Sequence, residues 1–296
     1  MGLAEMVRAI FLSIALVMAT PAAAQLRAED GLAALDAGDA VTARSIWAAL
    51  AEHGDLLAQY NLAVLKLTGQ GGDADPEAAQ YWFEAAAVEG HLASKLALAG
   101  LARERGQSDQ AQRWYRAAAQ AGDARAQVAL AQLLDQQADR EGALHWYRAA
   151  AKQGVLAAKS ALAALLAEAG AHDQATDWFE AAAAQGDLPA LHNLAVAVAQ
   201  GLGRAQDVQT ARALYLQAAQ AGYAPSMRNL ALIQARGEGG AQSFRFALAW
   251  ALAAQAADDP GARDVVDALR TVMSERAVVA AERLVGMCRT GELVCD

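Results

Sequence analysis

The residues of this chain best equipped for chemistry are five histidines and two cysteines, and their spacing supports little of it. His53, His91, His145, His172 and His192 are scattered. None belongs to an H-E-x-x-H pair or another metal-ligand spacing, so solvent or groove positions are expected rather than ligation, with no metal and no cofactor. No Ser has a Lys three places on, as a penicillin-binding active site needs, and no G-x-S-x-G occurs. Gly69-Gln70-Gly71 suggests a phosphate cradle. It follows a helical pattern rather than a strand and lacks a third Gly, so a dinucleotide fold does not fit. Without a nucleophile–base pair, the expectation is a protein that is not an enzyme.

The cysteines, Cys288 and Cys295, both fall near the end of the 296-residue chain. Residues seven apart on one helix are separated by about 10.5 Å, whereas a disulfide needs Cα atoms within about 7 Å. A disulfide therefore requires a turn, for which Thr290-Gly291 is the place. The alternative is two free thiols in a frayed tail. The pairing is favoured by an N-terminus that reads as an export signal. Arg8 precedes an apolar run from Ala9 to Ala19, followed by Pro21 and Ala22-Ala23-Ala24. The run is too short to span a bilayer. Residues 1–24 are thus expected to be a signal peptide starting at Met1 or Met6, cleaved before Gln25. The mature protein should be periplasmic or secreted, an oxidising setting that suits a disulfide. No later segment resembles a membrane span. The formal net charge of -9, with Lys and Arg scattered, argues against nucleic acid.

The elements that would carry such residues are helices. Ala, the residue best tolerated in helices, supplies 81 positions. An Ala followed three residues later by a large side chain recurs at a spacing of 32 or 36, with Trp82, Trp114, Trp146, Trp178, Leu214 and Trp250 in the large slot. A helical Ala-Ala run and a Gly follow most of them. Eight and nine residues after each closing Gly come Leu and Ala: Leu62-Ala63, Leu98-Ala99, Leu130-Ala131, Leu162-Ala163, Leu194-Ala195 and Leu230-Ala231. A period of this length indicates stacked helix pairs. The aromatic pairs Trp82-Phe83, Trp114-Tyr115, Trp146-Tyr147 and Trp178-Phe179 are expected to bury against helix A of their own and the next pair. Packing is favoured over a sugar-binding platform because they recur at core spacing. The closing Gly suits a left-handed helix end, and Asp55, Asp123 and Asp187 after it suit the next N-cap. The longer period comes from one loop between helices A and B, as in Gly69–Asp73, Gly201–Arg204 and Gly237–Gly240, against a tight turn such as Gln107-Ser108-Asp109. The first pair is degenerate, with helix A over Leu26–Ala37 and Ile46-Trp47 in helix B. Seven pairs are expected over residues 25–257. Asp258-Asp259-Pro260-Gly261 then breaks the pattern. Helices over Ala262–Met273 and Ser274–Val285, with Val265, Val266, Leu269 and Val272 on the apolar face of the first, would cap the open end within 258–296.

At these residues the chain resembles the Sel1-like repeat family, a relative of the tetratricopeptide repeats. The pattern A-x-x-L-A…G-x-G…A-x-x-W-[YF]-x-x-A-A-x-x-G is clear in Gln59–Gly90 and Ala190–Gly222. The family's usual Leu-Gly in helix A is Leu-Ala here, and the middle units are shorter. The resemblance implies an all-α, right-handed α/α solenoid whose concave face binds a protein or peptide. By analogy with tetratricopeptide grooves, Tyr60, Arg125, Gln132, His192 and Arg228 would face that groove, with Arg103 and Asp135 one turn further on. Asn61, Asn193 and Asn229 recur just before the Leu. They would either clamp a ligand's backbone amide or satisfy backbone groups between layers. The expected function is an exported, monomeric adaptor for a protein or peptide partner. A binder of cell-wall fragments or another small envelope ligand is the alternative.

Overall fold

The computed structural model describes residues 27–290. The expected signal peptide and Cys295 lie outside them. Among the described residues the regular structure is seventeen helices and no strand. The chain divides into two compact units, residues 1–121 and 122–296.

The first unit holds three antiparallel pairs: α1 (Ala28–Asp36) with α2 (Ala40–Glu52), α3 (Leu56–Thr68) with α4 (Pro76–Val88), and α5 (Leu92–Glu104) with α6 (Ser108–Gln120). The second holds four: α7 (Ala124–Gln136) with α8 (Arg140–Lys152), α9 (Leu156–Glu168) with α10 (His172–Ala183), α11 (Leu188–Gln200) with α12 (Val208–Gln220), and α13 (Ala224–Arg236) with α14 (Phe244–Ala256). Three shorter helices follow, α15 (Ala262–Val272), α16 (Glu275–Glu282) and α17 (Val285–Thr290), and all pack on α14. The sequence pattern suggests two helices here, and the third contains Cys288, which is fully buried. Val266 and Leu269 of α15 are buried, whereas Val272 at its end is exposed. Gln107 is the N-cap of α6, so Ser108 and Asp109 belong to that helix rather than to the turn before it.

The recurrent Leu and Ala of the first helix in each pair are buried throughout, and every one of the six Ala residues is fully buried. A methyl group at that position lets the partner helix approach closely. The aromatic pairs divide their roles. Phe83, Tyr115, Tyr147 and Phe179 are buried, but Trp82, Trp114, Trp146 and Trp178 are only half-buried. Successive helical residues point about 100° apart, so two adjacent rings cannot both enter one seam. The first slot becomes core only at Trp250, where α15–α17 cover α14. Trp47 is also buried, in the second slot, and its Nε1 donates to the Ala28 carbonyl at 2.9 Å.

Each pair is closed by a residue with positive φ, from Gly54 at 85° to Gly222 at 96°. Asp55, Asp123 and Asp187 then accept the backbone N–H three residues on, at 2.8, 2.8 and 2.7 Å. Such a cap is worth about 1 kcal/mol. Asp258 continues the first half of this scheme, taking the Gly slot with φ 59°. Asp259 falls in the register of the capping Asp, but the next helix is capped by Gly261, and Asp259 accepts the Gly261 N–H instead.

The three long loops share a packing reason. A Cβ on Gly71, Gly203 or Gly239 would collide with the backbone carbonyl of Ala40, His172 or Val208, the first residue of the preceding second helix. One turn further along those helices, Arg44 donates to the loop carbonyl of Asp73 at 3.3 Å, and Thr176 Oγ1 lies between the carbonyls of His172, at 2.8 Å, and Leu202 in the loop, at 3.1 Å. The loops therefore latch one pair to the next, and no phosphate cradle is needed to explain them.

Candidate functional site

In the first unit, Tyr60 sits on α3 between two other rings. Its centroid is 5.6 Å from Phe83 of α4 and 5.1 Å from His91, at tilts of 56° and 54°. His91 is the N-cap of α5, its Nδ1 accepting from the Ser94 N–H at 3.3 Å and lying 2.9 Å from Ser94 Oγ. Burial holds the His91 pKa below its ordinary value. Asn61 presents a buried Nδ2 that finds no hydrogen-bond acceptor. Arg103 stands exposed in the last turn of α5, apart from this cluster.

The second unit repeats the ring cluster with its chemistry rearranged. His192 of α11 lies 5.5 Å from Tyr215 of α12 and 5.4 Å from Tyr223, the N-cap of α13. Its Nδ1 is 2.9 Å from Oγ of the fully buried Ser226. Asn229 Nδ2 donates to Tyr215 Oη at 3.3 Å. Arg228 pairs with Asp259 at 2.8 Å, and Asp259 also accepts the Gly261 N–H at 3.0 Å. Burial first, then the positive charge of Arg228, push the His192 pKa down to about 4, against a smaller opposing pull from Asp259. The imidazole is neutral at physiological pH. Burial also raises the Tyr215 and Tyr223 pKa values. The neutral imidazole and the two phenols join Ser226, Asn229 and the Arg228–Asp259 pair in one network.

The remaining groove candidates do not join this cluster. Arg125 is exposed and pairs with Asp123, its own helix cap, at 3.0 Å. Asp135 lies 3.6 Å from Arg140 across the α7–α8 turn, and Gln132 is exposed on α7. Asn193 instead lines a cavity of about 430 Å³ between α9, α10 and α11, with Ala164, Phe179, Val196 and Leu202 in its wall. The three recurrent Asn residues thus have three fates. The difference follows from the preceding aromatic: Tyr215 has a hydroxyl to meet Asn229, and Phe179 has none to meet Asn193.

Sequence reasoning missed Tyr223, Ser226 and Asp259. The signal was present in register: Tyr223 follows the closing Gly as the capping residue, as His91 does, Asp259 falls at the same register position, and Ser226 stands where Ser94 does. Among the described residues no group of three or more His, Cys, Asp or Glu could hold a metal, and no helix is long and apolar enough to cross a membrane.

Paired helices closed by a capped turn, with a generic core and variable polar positions, define a helical-repeat protein. The Sel1 repeat model matches residues 56–91, 94–123, 124–155, 172–187, 188–223 and 224–259. The chain belongs to the Sel1 repeat family and has its all-α, α/α solenoid fold. The last match runs through Asp259, in keeping with the register above. A similar solved structure is c5321, a protective antigen of uropathogenic Escherichia coli with an SLR fold. It is 27% identical with a TM-score of 0.62, over 84% of this chain and 56% of that one. The chain therefore spans little more than half the length of that relative. A Sel1 repeat protein from Oxalobacter formigenes is 24% identical with a TM-score of 0.51, over 77% of this chain and 96% of its own. No curated protein matches. Sel1 repeat proteins generally mediate protein–protein interaction and are typically non-enzymatic.

Proposed function

We propose that the protein is an exported, monomeric scaffold that binds a protein or peptide on the concave face of its solenoid, in an envelope signalling or assembly process. The observation that carries this reading is the cavity between α9, α10 and α11. Its wall is largely apolar, with the Asn193 amide beside Phe179 and Val196. An apolar side chain of the partner fits such a wall, and an Asn amide can both donate to and accept from a peptide group. Removal of residues 1–24 and a Cys288–Cys295 disulfide belong to the same reading.

Arg228 is a poor probe of this face, because Asp259 already engages it. Val196→Arg is the better one, since it fills the cavity from its rim. Immobilised protein should retain a specific protein from envelope extract, and Val196→Arg should lose it with an unchanged circular dichroism spectrum. Retention of muropeptides with no protein partner would replace this reading with a cell-wall ligand. The periplasmic product should begin at Gln25, and its intact mass should rise by two hydrogens on reduction.

A further inference from the structure

On the first unit, a broad cavity of about 790 Å³ opens between the start of α3 and the C-terminal half of α4. Gln59 lines it from α3, and Tyr81, Glu84, Val88 and Glu89 line it from α4 and its C-cap. Gln59 is only 7% exposed. Its Nε2 donates to the Ala51 carbonyl at 3.2 Å, so flipping the amide would turn one oxygen onto another. Its Oε1 is buried and accepts no hydrogen bond.

The repeat explains why. Gln127 is the equivalent residue of α7, and its Oε1 accepts from Gln153 Nε2 at 2.8 Å. Gln153 is the C-cap of α8, as Glu89 is of α4. A carboxylate has no proton to donate. Glu89 therefore supplies no donor to the buried Gln59 Oε1, and it lines the same cavity with its negative charge. Glu84 adds a second carboxylate, one oxygen of which accepts from Gln80 Nε2 at 2.9 Å. Among the described residues neither Glu84 nor Glu89 has a basic partner. The cavity also faces the last turn of α4, where the helix dipole is negative and favours cations. Tyr81 and Val88, 62% and 77% exposed, form an apolar rim.

We propose that this cavity receives a lysine or arginine side chain of a protein partner. The cationic head donates to Gln59 Oε1 and to Glu84 and Glu89, and the aliphatic stem lies along Tyr81 and Val88, as such side chains do on mixed surfaces. The exposed Glu89 and Val88 shift to admit the head to the buried oxygen. The assignment rests on the protein-binding reading and supplies the chemistry of one partner residue.

The test is an NMR titration of the ¹⁵N-labelled protein with Nα-acetyl-lysinamide, using Nα-acetyl-norleucinamide as the uncharged control. The lysine probe should shift the Gln59 side-chain amide and the Glu89 backbone amide saturably, at least tenfold more tightly than norleucine. Glu89→Gln copies the Gln153 arrangement: it gives Gln59 an internal donor and removes the charge. It should weaken the probe at least tenfold while raising the melting temperature. Equal binding of both probes, or undiminished lysinamide binding by Glu89→Gln, overturns the proposal. Such a failure leaves partner capture in the second unit untouched, since Val196→Arg reports on that separately.

Discussion

Tyr60, Phe83 and His91 in the first unit and His192, Tyr215 and Tyr223 in the second are one arrangement written in two chemistries. The ring spacings agree within a few tenths of an ångström, yet histidine and tyrosine have exchanged places. In the first unit the histidine caps a helix. In the second it sits between two tyrosines, and Arg228, Asp259 and Asn229 extend the network around it. A flat ring of suitable size is what the packing demands, and its polar atoms are left to local choice. The repeat therefore conserves shape and lets charge vary.

The largest test of that contrast is Asp259→Ala. It strands Arg228 and removes the acceptor of the Gly261 N–H, and should cost about 2–3 kcal/mol in urea unfolding. The first cluster has no such ion pair. A cost near zero would show that the second is no more tightly held.

Next comes pH. Folding lowers the His192 pKa from an ordinary value of about 6.5 to about 4. Between these values the unfolded chain takes up a proton that the folded chain refuses, so stability should fall as pH drops from about 6.5 toward 4. His192→Phe should flatten that dependence. A His192 ring resonance titrating near 6.5 would abolish the distinction between the clusters.

Tyr215→Phe gives the second cluster the hydrocarbon ring of the first. It leaves Asn229 without its acceptor and should cost about 1 kcal/mol by the same unfolding measurement. Smallest of all is Ser94→Ala, expected at about 0.5 kcal/mol, because Ala58, Ala126, Ala158 and Ala190 already fill that slot in other pairs. Ser226→Ala should cost more, since His192 is buried more deeply than His91.

Much of this fold was legible in the linear pattern. The Leu-Ala steps, the closing Gly and the capping Asp lie within a few residues of one another, and each acts through its own helix. The aromatic pairs were only half legible: their period pointed to the core, but the helical angle buries the second ring of most pairs and leaves the first at the surface. The candidate groove was less legible still. Tyr60 and His192 were found because their slot is periodic, whereas Arg228 looked free until Asp259 was seen beneath it.

Spacing alone established the repeat, the pairing of helices and the recurrent core, because these depend on period and on forces that act within one or two turns. Tertiary structure decided which polar groups have partners. Asn229 meets a hydroxyl while Asn193 meets a cavity, and Gln127 has a donor that Gln59 lacks. Those outcomes depend on a side chain tens of residues away and on hydrogen-bond distances of about 3 Å, which no one-dimensional pattern records.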